Sequence, residues 1–149
     1  PLYQFSLETW IKSEGLGSGM TLGGLFGFTY GIRCYINSNG SLVFSLLSSG
    51  GVVTSAGKNL FDNEWHHIVC TNNGAVSYMY IDGAFNNSGN ATWDGSGNWP
   101  TNSVNIGRDN NDAYFFLKGY MSVARVYNKA LSASEVLQNY NAQKTRYDL

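Results

Sequence analysis

The sequence predicts an all-β chain, an antiparallel β-sandwich with one short C-terminal helix. Three observations predict it. Apolar residues alternate with polar ones over short runs, which is the period of a strand with one face buried. Those runs are punctuated by Asn-Gly, Asp-Gly and related turn pairs, with only 2 prolines in the chain. Charge is scarce: 13% of residues are charged, against roughly 25% in an average domain. Its place is taken by 18 Gly, 17 Asn and 16 Ser, which suit many tight turns. The 149 residues fit one domain able to bury a core without metal or disulfide staples.

The elements follow in chain order. Phe5-Ser6-Leu7-Glu8-Thr9-Trp10-Ile11-Lys12 puts Phe5, Leu7, Thr9 and Ile11 on one face, while Trp10 interrupts the polar face, so both faces are expected to be partly covered. Ile32 to Ile36 and Ser41 to Leu46 flank Asn39-Gly40 and read as a hairpin. Trp65 to Thr71 and Val76 to Ile81 form a second hairpin across Asn72-Asn73-Gly74, and Asp82-Gly83 makes the next tight turn. Val104 to Gly107 and Gly119 to Tyr127 complete the strands. The helix is predicted over Leu131 to Tyr140. Ser132 and Glu135 form a capping box, and Leu131 and Val136 stand where a hydrophobic staple requires them. Val136, Leu137 and Tyr140 are expected to share its buried face.

The net charge of −1 excludes an electrostatic nucleic-acid binder, which needs a basic patch. No apolar run approaches the roughly 20 residues that cross a bilayer, so membrane insertion is not expected. The start Pro1-Leu2-Tyr3-Gln4-Phe5 lacks the basic and apolar regions of a signal peptide. A chain opening on proline is expected to be the C-terminal part of something longer, with residues 1–149 forming a single domain. Cys34 and Cys70 have no metal-site spacing. They read as two buried thiols in strands, with a disulfide the alternative in an extracellular setting.

Several of these segments carry a family resemblance. Phe5 to Lys12 resembles the "FTISAWVK" strand of laminin-G-like, concanavalin A-like jelly rolls. Asn63-Glu64-Trp65-His66-His67-Ile68-Val69 resembles the "WHHVA" strand, Tyr80-Ile81-Asp82-Gly83 the "YVDG" turn and Asn105-Ile106-Gly107-Arg108 the "IG" strand. Gly119 to Val136 resembles the "G.I.DVRIYNRALSASEI" ending. The order of the motifs and their spread over nearly the whole chain imply the jelly-roll fold. The tail from Glu135 to Tyr147 is similar to endings of such domains in phage structural and tail-associated proteins. The family usually opens with a further strand like "FDGVDDYV", whose acidic residues help hold calcium. Here only four residues precede Phe5. An upstream segment supplies that strand, a partner chain supplies it, or this member lacks it.

The resemblance includes glycoside hydrolases, whose retaining members need two carboxyls about 5 Å apart. The four glutamates, Glu8, Glu14, Glu64 and Glu135, do not make the Glu-x-Asp-x-x-Glu spacing. Asp62-Asn63 reads as a turn. His66 and His67 are adjacent and therefore point to opposite faces of a strand, and the resemblance makes the pair structural. No enzyme is expected. The ligand candidates are loop residues. Trp93 and Trp99 lie in a Gly/Ser/Asn stretch and either stack on sugar faces or close the end of the core. In the loop from Asp109 to Tyr114, Asp109, Asn110 and Asp112 supply hard oxygens for a calcium ion or bond their own backbone in a turn. Arg108 would bond a hydroxyl or carboxylate there and Tyr114 would stack. No other cofactor is expected. The functional expectation is a non-catalytic module binding glycans at an extracellular or virion surface. The alternative is a purely structural virion surface domain, packed against other subunits and possessing no ligand. A homo-oligomeric assembly suits either.

Overall fold

The computed structural model describes residues 4–28, 31–46, 51–92, 104–109 and 115–149. Ten strands occur among them: β1 (Phe5–Gly15), β2 (Leu22–Phe28), β3 (Ile32–Asn37), β4 (Leu42–Leu46), β5 (Gly51–Thr54), β6 (Trp65–Asn72), β7 (Val76–Ile81), β8 (Ala84–Asn90), β9 (Val104–Ile106) and β10 (Lys118–Tyr127). They form two five-stranded sheets. Sheet A has the order β10-β1-β6-β7-β8 and sheet B the order β5-β4-β3-β2-β9. Every strand pairing is antiparallel, so the predicted sandwich is the observed one.

The core lies between the sheets and is built by alternation. Phe5, Leu7 and Ile11 of β1 meet Ile68 and Cys70 of β6 on the inner face of sheet A. Ile32, Cys34 and Ile36 of β3, with Leu42, Phe44 and Leu46 of β4, supply sheet B. Burying a Leu, Ile or Phe side chain contributes about 1.5–3 kcal/mol, so this cluster is the main source of stability.

Sheet A is covered on both faces, as the interruption at Trp10 predicts. Its outer face receives helix α1 (Ala133–Gln143) and a 3₁₀ turn over Lys144–Tyr147. The Ser132 hydroxyl accepts from the Glu135 amide while the Glu135 carboxylate accepts from the Ser132 amide. Leu131 and Val136 join Val69 and Tyr80 in a second apolar cluster. Leu137 departs from expectation: it is exposed, and the buried helix residues are Val136 and Gln143. The stripe turns toward Gln143 because a buried carboxylate, Glu8, waits there for a donor.

Three strands escape the sequence reading. β2 is LGGLFGF, too rich in glycine to show a strand pattern. β8 is AFNNSGN, polar because it is an edge. β5 is four residues long.

Candidate functional site

Sheet B keeps its outer face clear of the helix. In β3 the residues between Ile32, Cys34 and Ile36 point outward, and these are Arg33 and Tyr35. Arg33 is opposite Gly27 of β2 and Ser45 of β4. Its guanidinium stands 5.1 Å from the centroid of the Tyr35 ring, within the range of a cation–π contact.

Two short segments, residues 107–109 and 115–117, lie over this face. Gly107 donates to the Leu25 carbonyl and Leu117 to the Gly107 carbonyl, while Asp109 and Gly24 both donate to the carbonyl of Phe115. These segments therefore rest on Gly24, where a Cβ would stand 1.9 Å from the Asp109 amide nitrogen. That approach requires glycine. It brings Asp109, 76 positions away in sequence, onto Arg33. Nε of Arg33 donates to both carboxylate oxygens at 3.0 and 2.8 Å, and Nη2 donates to Oδ2. Asp109 is fully buried, while the Arg33 side chain keeps 24% exposure. The pair holds the guanidinium plane in one orientation at a partly open surface, which is the use to which a bidentate fork is suited.

The predicted site residues divide accordingly. Asp109 is placed on sheet B with its charge compensated by Arg33. Arg108 lies beside it, its guanidinium 5.6 Å from the ring centroid of Phe116. Trp93, Trp99, Asn110, Asp112 and Tyr114 fall outside the described residues. Among the described residues no group of three or more His, Cys, Asp or Glu could hold a metal ion. Both carboxylate oxygens of Asp109 are engaged by the Arg33 guanidinium. Arg33 and Tyr35 were not singled out from sequence. The signal was there in Ile32-Arg33-Cys34-Tyr35-Ile36, where arginine and tyrosine alternate with core residues on an otherwise apolar strand.

Two further polar clusters lie on sheet A. Glu8 is buried beneath α1 and accepts from His67 Nε2 at 3.1 Å, Arg125 Nη1 at 3.0 Å, Asn139 Nδ2 at 2.9 Å, Gln143 Nε2 at 3.2 Å and the Tyr127 hydroxyl. Burial alone would raise its pKa, but hydrogen bonds from His67 and Tyr127 and attraction to His67 and Arg125 outweigh it and lower the value to about 2. A carboxyl so acidic and so fully bonded holds no proton to give at neutral pH. Glu135 is used in the helix cap, and Glu14 and Glu64 are exposed at the surface. At the rim, His66 presents Nδ1 to Asp82 and Nε2 to Asp62, each at 3.0 Å. Both nitrogens donate to carboxylates, which the imidazolium alone can satisfy. Lys58 stands 3.4 Å from Asp82 in the same group. The adjacent histidines thus take opposite faces and both have structural partners.

The pattern of two five-stranded sheets agrees with a family match over residues 1–137, described as Laminin G, concanavalin A-like lectin/glucanases superfamily. The chain belongs to that family. Solved structures share the fold. A Bacteroides ovatus protein assigned to carbohydrate binding superimposes with a TM-score of 0.75 at 19% identity, over 92% of this chain and 40% of that one. A structure of botulinum neurotoxin type C, whose cell entry depends on two ganglioside molecules, gives 0.68 at 16%, over 94% and 36%. The binding domain of Paraclostridial Mosquitocidal Protein 1 gives 0.67 at 19%, over 94% and 37%. The chain therefore spans about two-fifths of the length of these structures, and at such identities the likeness is one of fold. No curated protein matches the chain in sequence. No helix among the described residues is long and apolar enough to cross a membrane.

Proposed function

We propose that this laminin-G-like domain is a non-catalytic recognition module that binds glycans, and that it does so on the outer face of sheet B around Arg33 and Tyr35. The observation that carries the reading is the Arg33–Asp109 pair. A guanidinium held beside a tyrosine ring sets a fixed positive charge and an aromatic surface together at a partly open face, which is the kind of pairing of polar and flat apolar groups that small polar ligands require. The carbohydrate and ganglioside associations of the structural neighbours support the ligand class. The absence of catalysis is supported by Glu8, which is buried and fully bonded. We place the module at an extracellular surface, with a virion as its carrier. The low charge and the abundance of Asn, Gly and Ser support that location.

The test is a glycan array followed by titration of the best ligand. Wild type should bind a defined set of glycans. Tyr35→Ala and Arg33→Lys, with unchanged circular dichroism, should weaken binding about tenfold, the equivalent of about 1.4 kcal/mol. A folded wild type that binds no glycan at millimolar concentration would contradict the proposal.

A second reading, a structural domain packed against neighbouring subunits, is favoured by one observation. Val104 and Ile106 of β9 and Val126 of β10 are 40%, 56% and 49% exposed, and both strands are sheet edges. Concentration-dependent sedimentation that Ile106→Lys abolishes would support that reading. A monomer at all concentrations would oppose self-assembly through this edge.

A further inference from the structure

The glycan reading leaves Cys34 and Cys70 without a role, and their placement in the fold is specific. Cys34 lies on β3, the middle strand of sheet B, and Cys70 lies on β6, the middle strand of sheet A. Both side chains point into the core, where their sulfurs meet at 3.7 Å. Cys34 is flanked in its sheet by Phe26 and Phe44, and Cys70 by Leu7 and Met79. These strand neighbours are apolar, and among them stands no metal ligand, catalytic base or third cysteine. Each has one chemical partner, and it is the other.

We infer that Cys34 and Cys70 are a covalent modification site, at which an inter-sheet disulfide forms when the chain folds in an oxidising milieu. The sulfurs, already directed at one another across the core at 3.7 Å, must approach to about 2.05 Å. A bridge between the two sheets of a sandwich is an established device in antibody domains. The reaction is thiol–disulfide exchange with a small-molecule disulfide such as oxidised glutathione. One protein thiol loses its proton and attacks a glutathione sulfur, forming a mixed disulfide and releasing one glutathione thiolate. The second protein thiol then loses its proton and attacks the protein sulfur of that mixed disulfide. The Cys34–Cys70 bond forms and the second glutathione thiolate leaves. Two electrons pass from the protein to glutathione, and the two protons end on the released thiols.

The exchange belongs to folding, before the core closes. In the folded chain Cys34 and Cys70 are 1% and 0% exposed, so no oxidant reaches them. Burial and the neighbouring Cys34 also push the Cys70 thiol well above its ordinary pKa, which leaves little thiolate to react. The bridge would close a loop of 36 positions, long enough to restrict the unfolded chain substantially.

The experiment is to refold the full chain in a mixture of oxidised and reduced glutathione, and in parallel with a phosphine reductant. Intact mass, thiol titration in denaturant and thermal melting are then recorded. The oxidised sample should be monomeric, about 2 Da lighter, and free of titratable thiols. It should melt roughly 10 °C higher than the reduced one. Peptide mapping without reductant should recover Cys34 joined to Cys70. In the Cys34→Ala, Cys70→Ala double variant the two buffers should give equal melting temperatures. If that variant fails to fold, the two wild-type samples still decide the matter. Two thiols remaining after oxidative refolding, a disulfide-linked dimer, or a bridged monomer that melts below the reduced form would each overturn the inference.

Discussion

Glu8 accepts hydrogen bonds from five side chains on three elements other than its own strand: His67 on β6, Arg125 and Tyr127 on β10, and Asn139 and Gln143 on α1. Its carboxylate is therefore a fastening point between sheet A and the helix. Glu8→Gln keeps the volume but replaces an acceptor oxygen with a donor among donors. We expect a loss of about 3 kcal/mol at pH 7, because breaking a buried ionic network leaves partners unsatisfied. The sign of its pH dependence follows from the lowered pKa. The stabilisation is present above the ordinary value of 4.5 and is lost as pH falls toward about 2. Urea denaturation of wild type and variant should converge between those limits. A gap that stays constant from pH 7 to pH 2.5 would show that Glu8 acts through packing and not through charge. His66 behaves oppositely. Burial disfavours its cation, but hydrogen bonds to Asp82 and Asp62 prevail and raise its pKa above 6.5. Its contribution is complete below pH 6.5 and disappears as pH rises through the folded-state value. The carboxylates of Asp62 and Asp82 are lowered from 3.8, so the cluster also weakens below that pH. The stability difference between wild type and His66→Gln should peak between about pH 4 and 6.5. A difference that grows above pH 8 would contradict the ion-pair assignment.

At the scale of elements, the helix was legible because its signals are local. Ser132 and Glu135 are three residues apart, and their side chains cap the same turn. The direction of its buried stripe was not legible, since Leu137, expected on that face, is exposed while Gln143, beyond the predicted helix, is buried against the distant Glu8. Strands β2 and β8 were missed for a related reason. Glycine in β2 reflects a loop that must approach Gly24, and polarity in β8 reflects an edge. Neither cause is visible in the segment itself. The turn between β7 and β8 ties the helix to the sheet. Gly83 has φ +77°, and a Cβ there would stand 2.8 Å from the Tyr140 ring. Tyr140 in turn stacks at 5.7 Å on Trp10. Gly83→Ala should therefore destabilise the domain by about 1–3 kcal/mol through backbone strain and displacement of α1. The near-ultraviolet dichroism of the Trp10–Tyr140 stack should fall with it. Unchanged melting and dichroism would mean that the helix is not seated on this turn.

At the scale of the molecule, the sandwich was legible because several motifs of one family occur in order along the chain, and each reports a strand or turn of the same architecture. The candidate site was legible only in part. Asp109 and Arg108 were marked by their loop composition, yet the partner that defines the site, Arg33, lies 76 positions from Asp109. Nothing in either segment announces the pairing, which arises from β2 and β3 lying beneath residues 107–109 and 115–117. The result is a domain with one sheet sealed by a helix and the other presenting an oriented guanidinium and a tyrosine ring. The central claim is that this second face holds the glycan. Its most direct test is a nuclear magnetic resonance titration of the ¹⁵N-labelled chain with the strongest ligand from the array. The account predicts amide shift changes concentrated at Arg33, Tyr35, Asn105, Asp109 and Phe116, with Trp65, Tyr140 and Tyr147 on the opposite side unmoved. Shift changes confined to the α1 side, or none at millimolar glycan, would contradict it.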